Sequence, residues 1–234
     1  MNIAIILVAG EGKRMGTGKN KVLLKLKNKP IVYYAAMPFE KSKKIDGILV
    51  VTKKEEIKTF QDFFARNKFK KTIAVIEGGQ ERQTSGLKAI KYLESIFLPK
   101  QIKNSIAIFH NGDSPFVREQ EIEAVIEMAR KFGACAVAHP TKDTIKRVNK
   151  KGFVETTLER EMLWNMQTPQ AIKLNVAIKA FNVAHKKKYK GTDDVSLVEL
   201  FGKKVKIIEA SVDNIKITIP TDYDLAKIII RKRG

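Results

Sequence analysis

The sequence predicts an α/β fold in which a mostly parallel sheet is flanked by helices. Apolar, strand-like runs recur along the 234 residues, and amphipathic stretches of helical length lie between them. This alternation is typical of consecutive β–α–β units, which build parallel sheets. The hydrophobic content of 44% is ample for a core. We therefore expect residues 1–234 to form a single domain with one excursion.

The first part of the chain alternates regularly between the two kinds of element. The predicted strands are short apolar runs at Ile3–Val8, Gly47–Thr52, Thr72–Ile76, Ser105–Phe109 and Ala134–Ala138. The predicted helices lie between them at Ile31–Glu40, Lys54–Arg66, Thr84–Phe97 and Glu119–Phe132. In the last helix, Ile122, Val125, Ile126 and Ala129 fall on one face at helical spacing, so this face should pack on the sheet.

The pattern changes at about residue 142. Two strand-like runs, Asp143–Val148 and Phe153–Leu158, are joined by an Asn-Lys-Lys-Gly turn, so residues 142–160 should form a β-hairpin arm. An isolated hairpin is poorly stable in water. The arm therefore needs a partner surface, either on its own domain or on a second subunit.

The last part of the chain returns to alternating elements. After Pro169 we expect a helix and then two strands, at Val205–Ile208 and Ile215–Ile219. Pro220 should begin a terminal helix, because proline is favoured at the first helical position. That helix ends in the cations 231–233, which suit a helix C-terminus.

Composition argues against several classes of protein. The formal net charge of +20 is compatible with nucleic-acid binding, but the lysines are dispersed and no aromatic-rich basic motif occurs. We therefore expect no specific nucleic-acid partner, and such a field would also attract a phosphate-rich substrate. RNA binding remains an alternative that rests on charge alone, and it predicts binding that survives physiological salt.

Neither a membrane span nor a disulfide is indicated. The longest apolar run is far shorter than the ~18 residues that suggest a membrane helix. The N-terminus leads directly into a strand pattern, which argues against a signal peptide. Cys135 is the single cysteine, so an intramolecular disulfide is excluded. We expect a cytoplasmic protein with no membrane partner.

The segment from residue 7 to residue 25 has the character of a phosphate-binding loop. It follows the first strand, and its glycines include Gly10, Gly12 and Gly16, which allow the backbone to approach a ligand. Its cations include Lys13, Arg14, Lys19 and Lys21. A strand end that opens into glycines and fixed positive charge is suited to a polyphosphate.

This loop matches neither of two common nucleotide-binding templates. A Walker loop requires Ser or Thr after Gly-Lys, but Arg14 and Asn20 occupy those positions. The dinucleotide fingerprint requires glycine where the chain has Met15. Two interpretations remain: a basic surface loop, or a nucleotide loop in which Arg14 grips phosphate with its planar fork and Lys21 acts as a point charge.

Five segments, taken in order, resemble one enzyme family. They are Ala-Gly-x-Gly-x-Arg-Met-Gly followed by Lys21, then Gly78–Ser85, Asp143–Lys146, Leu163–Gln170, and Thr192–Asp194 with Asn214–Thr218. Together they are similar to the 2-C-methyl-D-erythritol 4-phosphate cytidylyltransferases of isoprenoid precursor synthesis, which are sugar- and polyol-phosphate nucleotidyltransferases. The resemblance covers nearly the whole chain. It implies the Rossmann-like nucleotidyltransferase fold and a homodimer formed through the arm.

The resemblance implies that a phosphate oxygen of methylerythritol phosphate attacks the α-phosphorus of CTP and that pyrophosphate leaves. Both reactants are anions, so positioned cations matter more than a covalent nucleophile. Arg14 and Lys21 stand at the positions of the family's transition-state residues. Mg²⁺ is the implied cofactor, because a triphosphate is normally handled with this ion.

The resemblance also implies a nucleotide pocket around Ala9, Gly10, Gly12, Gly79 and Ser85. Small residues leave room for a pyrimidine, and main-chain groups can read its edge. The residues alone also allow a plain strand-to-helix loop at Gly79 and a place in the first helical turn for Ser85.

The acceptor should meet groups remote from the loop. Arg160 and Lys216 match the family's acceptor-positioning residues, and Thr144 and Thr168 match polar positions of its pocket. Arg160 follows the arm, so it can act in the neighbouring subunit's site. Asp213 is either a Mg²⁺ ligand or an exposed turn carboxylate.

The match breaks at residues 110–115. The family has His-Asp-Ala-Ala-Arg-Pro, whereas this chain has Asn111 for the aspartate and Ser114 for the arginine. Asn111 and Asp113 are candidate acceptor-binding residues, and Asp113 can replace the lost carboxylate if the loop is re-aimed. Asn20 stands where the family has proline, which predicts a more mobile loop.

These departures lie on the acceptor side and keep three alternatives open. The acceptor can be another polyol phosphate such as ribitol 5-phosphate, or the enzyme can use another nucleotide. The third alternative is a nucleotide-binding homologue that has lost catalysis.

Overall fold

The computed structural model describes residues 1–10, 12 and 20–233. The strands, in chain order, are β1 (Asn2–Leu7), β2 (Lys25–Leu26), β3 (Lys29–Pro30), β4 (Gly47–Thr52), β5 (Thr72–Glu77), β6 (Ile106–Asn111), β7 (Ala134–Pro140), β8 (Lys146–Val148), β9 (Val154–Thr157), β10 (Trp164–Lys173) and β11 (Lys206–Glu209). The helices are α1 (Ile31–Lys41), α2 (Ile57–Arg66), α3 (Arg82–Ile96), α4 (Pro99–Asn104), α5 (Glu119–Phe132), α6 (Leu174–Lys186), α7 (Val195–Leu200) and α8 (Pro220–Lys232).

A seven-stranded sheet in the order β11-β7-β10-β6-β1-β4-β5 forms the centre of the molecule. Its neighbouring strands are parallel except where β10 pairs antiparallel with β6 and β7. The prediction of a mostly parallel sheet flanked by helices is therefore confirmed. β1 lies between β4 and β6, and its residue Ile6 is in register with both Val50 and His110.

Each face of the sheet packs against its own layer of helices. On one face, Ile6 and Val50 contact a cluster that includes Phe39 of α1, Phe60 of α2 and Val125 of α5. The other face packs in the same way on α3, α6 and α7. Because both faces are buried, the strands are apolar throughout, which is why they could be recognised in the sequence.

The chain changes direction between β1 and β6. From β1 it runs outward to β4 and β5 with α1 and α2 on one face of the sheet. Then α3 crosses the opposite face and returns the chain to β6, on the other side of β1. In sheets of this kind, a crevice for ligands opens at such a point, beyond the carboxyl ends of the strands.

One predicted strand is wrong. Residues 215–219 are irregular and belong to no sheet. The backbone N–H of Ile217 donates to the Asp113 carbonyl at 2.9 Å, and that of Thr218 donates to the Asp222 carboxylate at 2.7 Å. The apolar alternation that suggested a strand instead places Ile217 in a small third core cluster together with Ala226 of α8.

The sequence pattern did not predict the strand β10. β10 passes through Pro169 and has an irregularity between Met166 and Gln170. Proline weakens a strand signal because it cannot donate to the ladder. The predicted boundaries of the other core elements are close to the observed ones, although residues 54–56 form a 3-10 turn ahead of α2.

The predicted hairpin arm is present. β8 and β9 pair with each other in a separate two-stranded sheet, and both are shorter than the predicted runs. The arm exposes Phe153 at 69% of its surface, and Met162, two residues after the arm, is 76% exposed. Of the helices that the structure describes, none is long and apolar enough to cross a membrane.

Candidate active site

A cavity of about 370 Å³ lies beyond the carboxyl ends of β1 and β6, at the point where the strand order reverses. Its lining comes from segments that are distant in sequence: Leu7 to Gly10 with Gly12, Lys21 and Val22, Gly79 to Arg82, Ser85, Asn111, Asp113, Lys216 and Thr218. The lining includes three cations, Lys21, Arg82 and Lys216, and several small residues such as Gly10 and Gly79. Such a wall suits a phosphorylated ligand that is bound close to the main chain.

Lys21 is a buried cation within this wall, because only 9% of its side chain is exposed. Its Nζ lies 2.6 Å from Oδ2 of Asp113 and donates to the Ile217 carbonyl at 2.7 Å. The Ile217 N–H in turn donates to the Asp113 carbonyl at 2.9 Å. The three residues therefore form a closed set of contacts between the end of the loop, the end of β6 and the segment that carries Lys216.

Asn20 anchors the backbone immediately before Lys21. Its Nδ2 donates to the Val8 carbonyl at 2.7 Å and to Oε2 of Glu56 at 2.8 Å. Its Oδ1 accepts from the Val22 N–H at 3.3 Å, which caps the short 3-10 turn that contains Lys21. Asn20 is 6% exposed. The asparagine that replaces the family's proline thus fastens this end of the loop to the end of β1.

Asn111 contacts a different cation, Arg82. Its Oδ1 accepts from Nε of Arg82 at 3.1 Å, while Nη2 of Arg82 donates to Oδ2 of Asp194 at 2.6 Å. Burial raises the pKa of the Asp194 carboxyl above its ordinary value, although the adjacent Arg82 guanidinium opposes this effect. Asn111 and Asp113 therefore belong to separate contacts, Asn111 with Arg82 and Asp113 with Lys21.

His110 supports the residues of the cavity wall through hydrogen bonds, although it does not line the cavity itself. Its Nε2 faces the Ser114 carbonyl at 2.9 Å, so this nitrogen must carry the proton, and its Nδ1 lies 3.0 Å from the Thr168 hydroxyl. The Thr168 hydroxyl therefore donates to Nδ1, and its oxygen accepts from the Asn111 N–H at 3.3 Å. Complete burial lowers the pKa of His110 to about 4. The neutral ring thus fixes the end of β6 against β10.

The N-terminus of α3 and the turn before it contribute another part of the cavity lining. Oγ of Ser85 accepts from the Gly79 N–H at 3.0 Å and lies 3.1 Å from the Glu81 carbonyl. A Cβ on Gly79 would lie 2.1 Å from Oγ1 of Thr84, so the turn requires glycine. The positive end of the helix dipole and close backbone approach therefore meet at this edge of the cavity.

Most of the predicted site residues line the cavity: Ala9, Gly10, Gly12, Lys21, Gly79, Ser85, Asn111, Asp113 and Lys216. Thr168 lies directly behind Asn111, in hydrogen-bond contact with its backbone. Arg14 lies outside the described residues.

Three predicted residues lie elsewhere in the described structure. Thr144 and Arg160 are exposed in the arm, where Nη1 of Arg160 donates to the Lys142 carbonyl at 3.4 Å. Asp213 is half-exposed outside the cavity, and its carboxylate lies 4.0 Å from Arg118. This geometry favours the interpretation of Asp213 as an exposed turn carboxylate over that of a metal ligand.

Sequence reasoning missed two contributors. Arg82 and Asp194 both lie in segments that carried the family resemblance, yet neither was assigned a role. Their contact joins residues 112 positions apart, so no local spacing could have revealed it. Within the described ranges, no group of three or more His, Cys, Asp or Glu side chains is arranged to hold a metal.

Comparisons with known proteins agree with this geometry. A family model described as IspD, 2-C-methyl-D-erythritol 4-phosphate cytidylyltransferase, matches residues 2–232. The protein of that name from Geobacillus thermodenitrificans (strain NG80-2) is 39% identical over 230 residues, which cover 98% of this chain and 97% of the relative. The protein of that name from Desulforamulus reducens is 39% identical over 233 residues, which cover 99% of this chain and 97% of the relative.

Solved structures show the same similarity. The 4-diphosphocytidyl-2C-methyl-D-erythritol synthase of Anaerococcus prevotii superposes with a TM-score of 0.85 at 26% identity, covering 99% of this chain and 96% of the other. The 2-C-methyl-D-erythritol 4-phosphate cytidylyltransferase of Francisella tularensis superposes with a TM-score of 0.76 at 26% identity, covering 97% and 98%.

Proposed function

The chain belongs to the 2-C-methyl-D-erythritol 4-phosphate cytidylyltransferase family, and from this premise we propose how its cavity performs the family's reaction. The enzyme transfers the cytidylyl group of CTP to 2-C-methyl-D-erythritol 4-phosphate. The products are 4-diphosphocytidyl-2C-methyl-D-erythritol and pyrophosphate, in isoprenoid precursor synthesis. The observation that best supports this assignment is the buried cation Lys21, held in a cavity at the reversal of strand order.

We propose that CTP binds with its phosphates along Gly10, Gly12 and Lys21 and with its base near Gly79 and Ser85. The first three residues line the cavity at the end of β1, and the last two line it at the start of α3. The small residues at these two edges, Gly10 and Ser85 among them, leave room for a flat pyrimidine ring. Backbone N–H and carbonyl groups in this turn are the natural readers of the edge of the base.

In the proposed reaction, a phosphate oxygen of the acceptor attacks the α-phosphorus of CTP. A new P–O bond forms on one side of this phosphorus while the bond to the bridging oxygen breaks and pyrophosphate leaves. Negative charge grows on the α-phosphate, so fixed cations stabilise the transition state more than the ground state. We assign this role to Lys21 and, by family resemblance, to Arg14. Lys216, which lines the cavity, positions the acceptor.

Mg²⁺ is the proposed cofactor. Proteins usually hold this ion through one or two carboxylates together with substrate phosphates. The cavity lining offers the Asn111 amide oxygen, a hard donor of the kind that fits such an ion, and the triphosphate would supply further oxygens. When bound, Mg²⁺ would neutralise part of the triphosphate charge.

We further propose a homodimer through the arm. The arm's exposed apolar side chains include Val148, Phe153 and Val154, and Met162 follows just after it. Burying them against a second copy would stabilise the assembly. Arg160 would then serve the partner's cavity. The test is complementation: mixed Arg160→Ala and Lys21→Ala subunits should regain activity, because one site in each heterodimer carries neither defect. Absence of recovery in verified heterodimers would refute action across subunits.

We propose the cytoplasm as the place of action, which is consistent with the free, buried Cys135.

Pyrophosphate release provides the direct test of function. The purified protein with Mg²⁺, CTP and methylerythritol phosphate should release pyrophosphate, and replacing CTP by ATP, GTP or UTP should slow turnover strongly. Turnover with ribitol 5-phosphate but none with methylerythritol phosphate would reassign the acceptor, an alternative suggested by Asn111 and Ser114. CTP binding without turnover on any acceptor would identify a homologue that has lost catalysis.

A further inference from the structure

The contact between Lys21 and Asp113 involves a position at which this chain departs from the family pattern. In the family's His-Asp-Ala-Ala-Arg-Pro segment, the position of Asp113 carries alanine. Here Oδ2 of Asp113 lies 2.6 Å from Nζ of Lys21, and only 9% of the lysine side chain and 11% of the aspartate side chain are exposed. A charged contact at this depth is strong and poorly screened by salt.

The N–H donors of the Lys21 ammonium group show how this contact fixes its orientation. A lysine ammonium has three N–H donors and no acceptor. Within the described part of the chain, one donor is committed to Asp113 and a second to the Ile217 carbonyl at 2.7 Å. The third donor remains for a ligand in the cavity that Lys21 lines. A flexible four-carbon side chain is thereby held in one orientation before the nucleotide arrives.

We propose that Asp113 is a positioning residue for Lys21, which fixes the ammonium group so that its remaining N–H meets the phosphate at which charge develops. The inference rests on the proposed function, because it assigns Lys21 to the transition state. Asp113 itself carries negative charge close to the phosphates, so it contributes nothing attractive to nucleotide binding. Its benefit lies in orientation, which lowers the barrier of the chemical step.

The proposal predicts a particular split between turnover and binding. In Asp113→Asn, kcat at saturating CTP, acceptor and Mg²⁺ should fall about tenfold or more, because Lys21 loses its fixed orientation. The dissociation constant for CTP should stay unchanged or fall, because a negative charge beside the phosphates is removed. Asp113→Ala, which places the family's residue at this position, should show the same split.

The matched control is Asp62→Asn, the same substitution in an exposed aspartate–lysine pair. Oδ1 of Asp62 lies 2.8 Å from Nζ of Lys58, and 80% of that lysine side chain is exposed. This variant should keep wild-type kcat and wild-type affinity for CTP. Pyrophosphate release gives kcat, calorimetry gives the affinity for CTP, and thermal unfolding shows whether each variant is folded.

Three results would overturn the positioning role while leaving the function intact. Wild-type kcat in a folded Asp113→Asn protein is the first. The second is an equal loss of kcat, CTP affinity and thermal stability, which would indicate a structural role. The third is a wild-type kcat that is reached only at a higher Mg²⁺ concentration than the wild type needs, which would make Asp113 a metal ligand instead. Absence of turnover by the wild-type enzyme would overturn the proposed function itself, and with it this inference.

Discussion

The burial of His110 makes the stability of this enzyme depend on pH. The ring is completely buried, and its pKa falls from the ordinary 6.5 to about 4. The unfolded chain therefore binds a proton that the folded chain does not bind between these two values. The sign follows from linkage: the contribution is fully present above pH 6.5 and is lost progressively as the pH falls toward 4.

The magnitude follows from the same two values. A difference of about 2.5 pH units at 1.36 kcal/mol each corresponds to about 3 kcal/mol of unfolding free energy lost between pH 6.5 and 4. Because a small domain has only about 5–15 kcal/mol of stability, this loss should be readily measured.

The assay is urea unfolding at a series of pH values from 7.5 to 4.5, on the wild type and on His110→Gln. Glutamine retains a donor for the Ser114 carbonyl but does not titrate in this range. The wild type should therefore lose about 2–3 kcal/mol more than the variant across the series. The variant His185→Gln, in which an exposed imidazole is removed, controls for loss of a histidine outside the core. Parallel profiles for the wild type and His110→Gln would show that protonation of His110 does not cause the loss of stability.

Three further substitutions test the cavity. Lys21→Met should lower kcat about 100-fold and should cost about 3–5 kcal/mol by leaving Asp113 buried and unpaired. Adding Asp113→Asn to it should restore stability in urea without restoring turnover, and recovered turnover would refute the role of Lys21. Gly112→Ala would place a Cβ 2.3 Å from Cγ1 of Val8, so stability in urea should fall by about 1–3 kcal/mol, and an unchanged midpoint would contradict this contact. Asn20→Ala removes the donors to the Val8 carbonyl and Glu56, so it should cost about 1–3 kcal/mol and raise the KM for CTP; a wild-type KM would show that the loop end is fixed by other means.

The sequence predicted the fold correctly wherever one cause, such as burial on both faces of the sheet, determined the type of residue along a segment. Runs such as Gly47–Thr52 are apolar throughout because both faces of the sheet are covered, and the structure places a strand at those residues. The prediction failed at residues 215–219, where apolar alternation arises from packing beneath α8. It also failed at β10, whose strand signal is interrupted by Pro169.

The candidate site was likewise predictable only in part. Residues in contiguous motifs, such as Gly10 and Gly79, could be named because a strand end followed by glycines has a physical meaning by itself. The carboxylates that contact the cations Lys21 and Arg82 could not be predicted. Lys21 meets Asp113, and Arg82 meets Asp194, only because the chain reverses its course across the sheet. Which carboxylate faces which cation is decided by that crossing, so the sequence alone left the role of Asp113 open.

The antiparallel course of β10 has a practical consequence for protein engineering. Pro140 at the end of β7 is paired with Trp164 at the start of β10, so the whole arm leaves and re-enters the sheet through adjacent backbone positions. Antiparallel neighbours can be joined by a two-residue turn. A truncated enzyme in which such a turn joins Pro140 to Trp164 would retain the catalytic crevice and lose Arg160. The arm can therefore be removed as a separate unit.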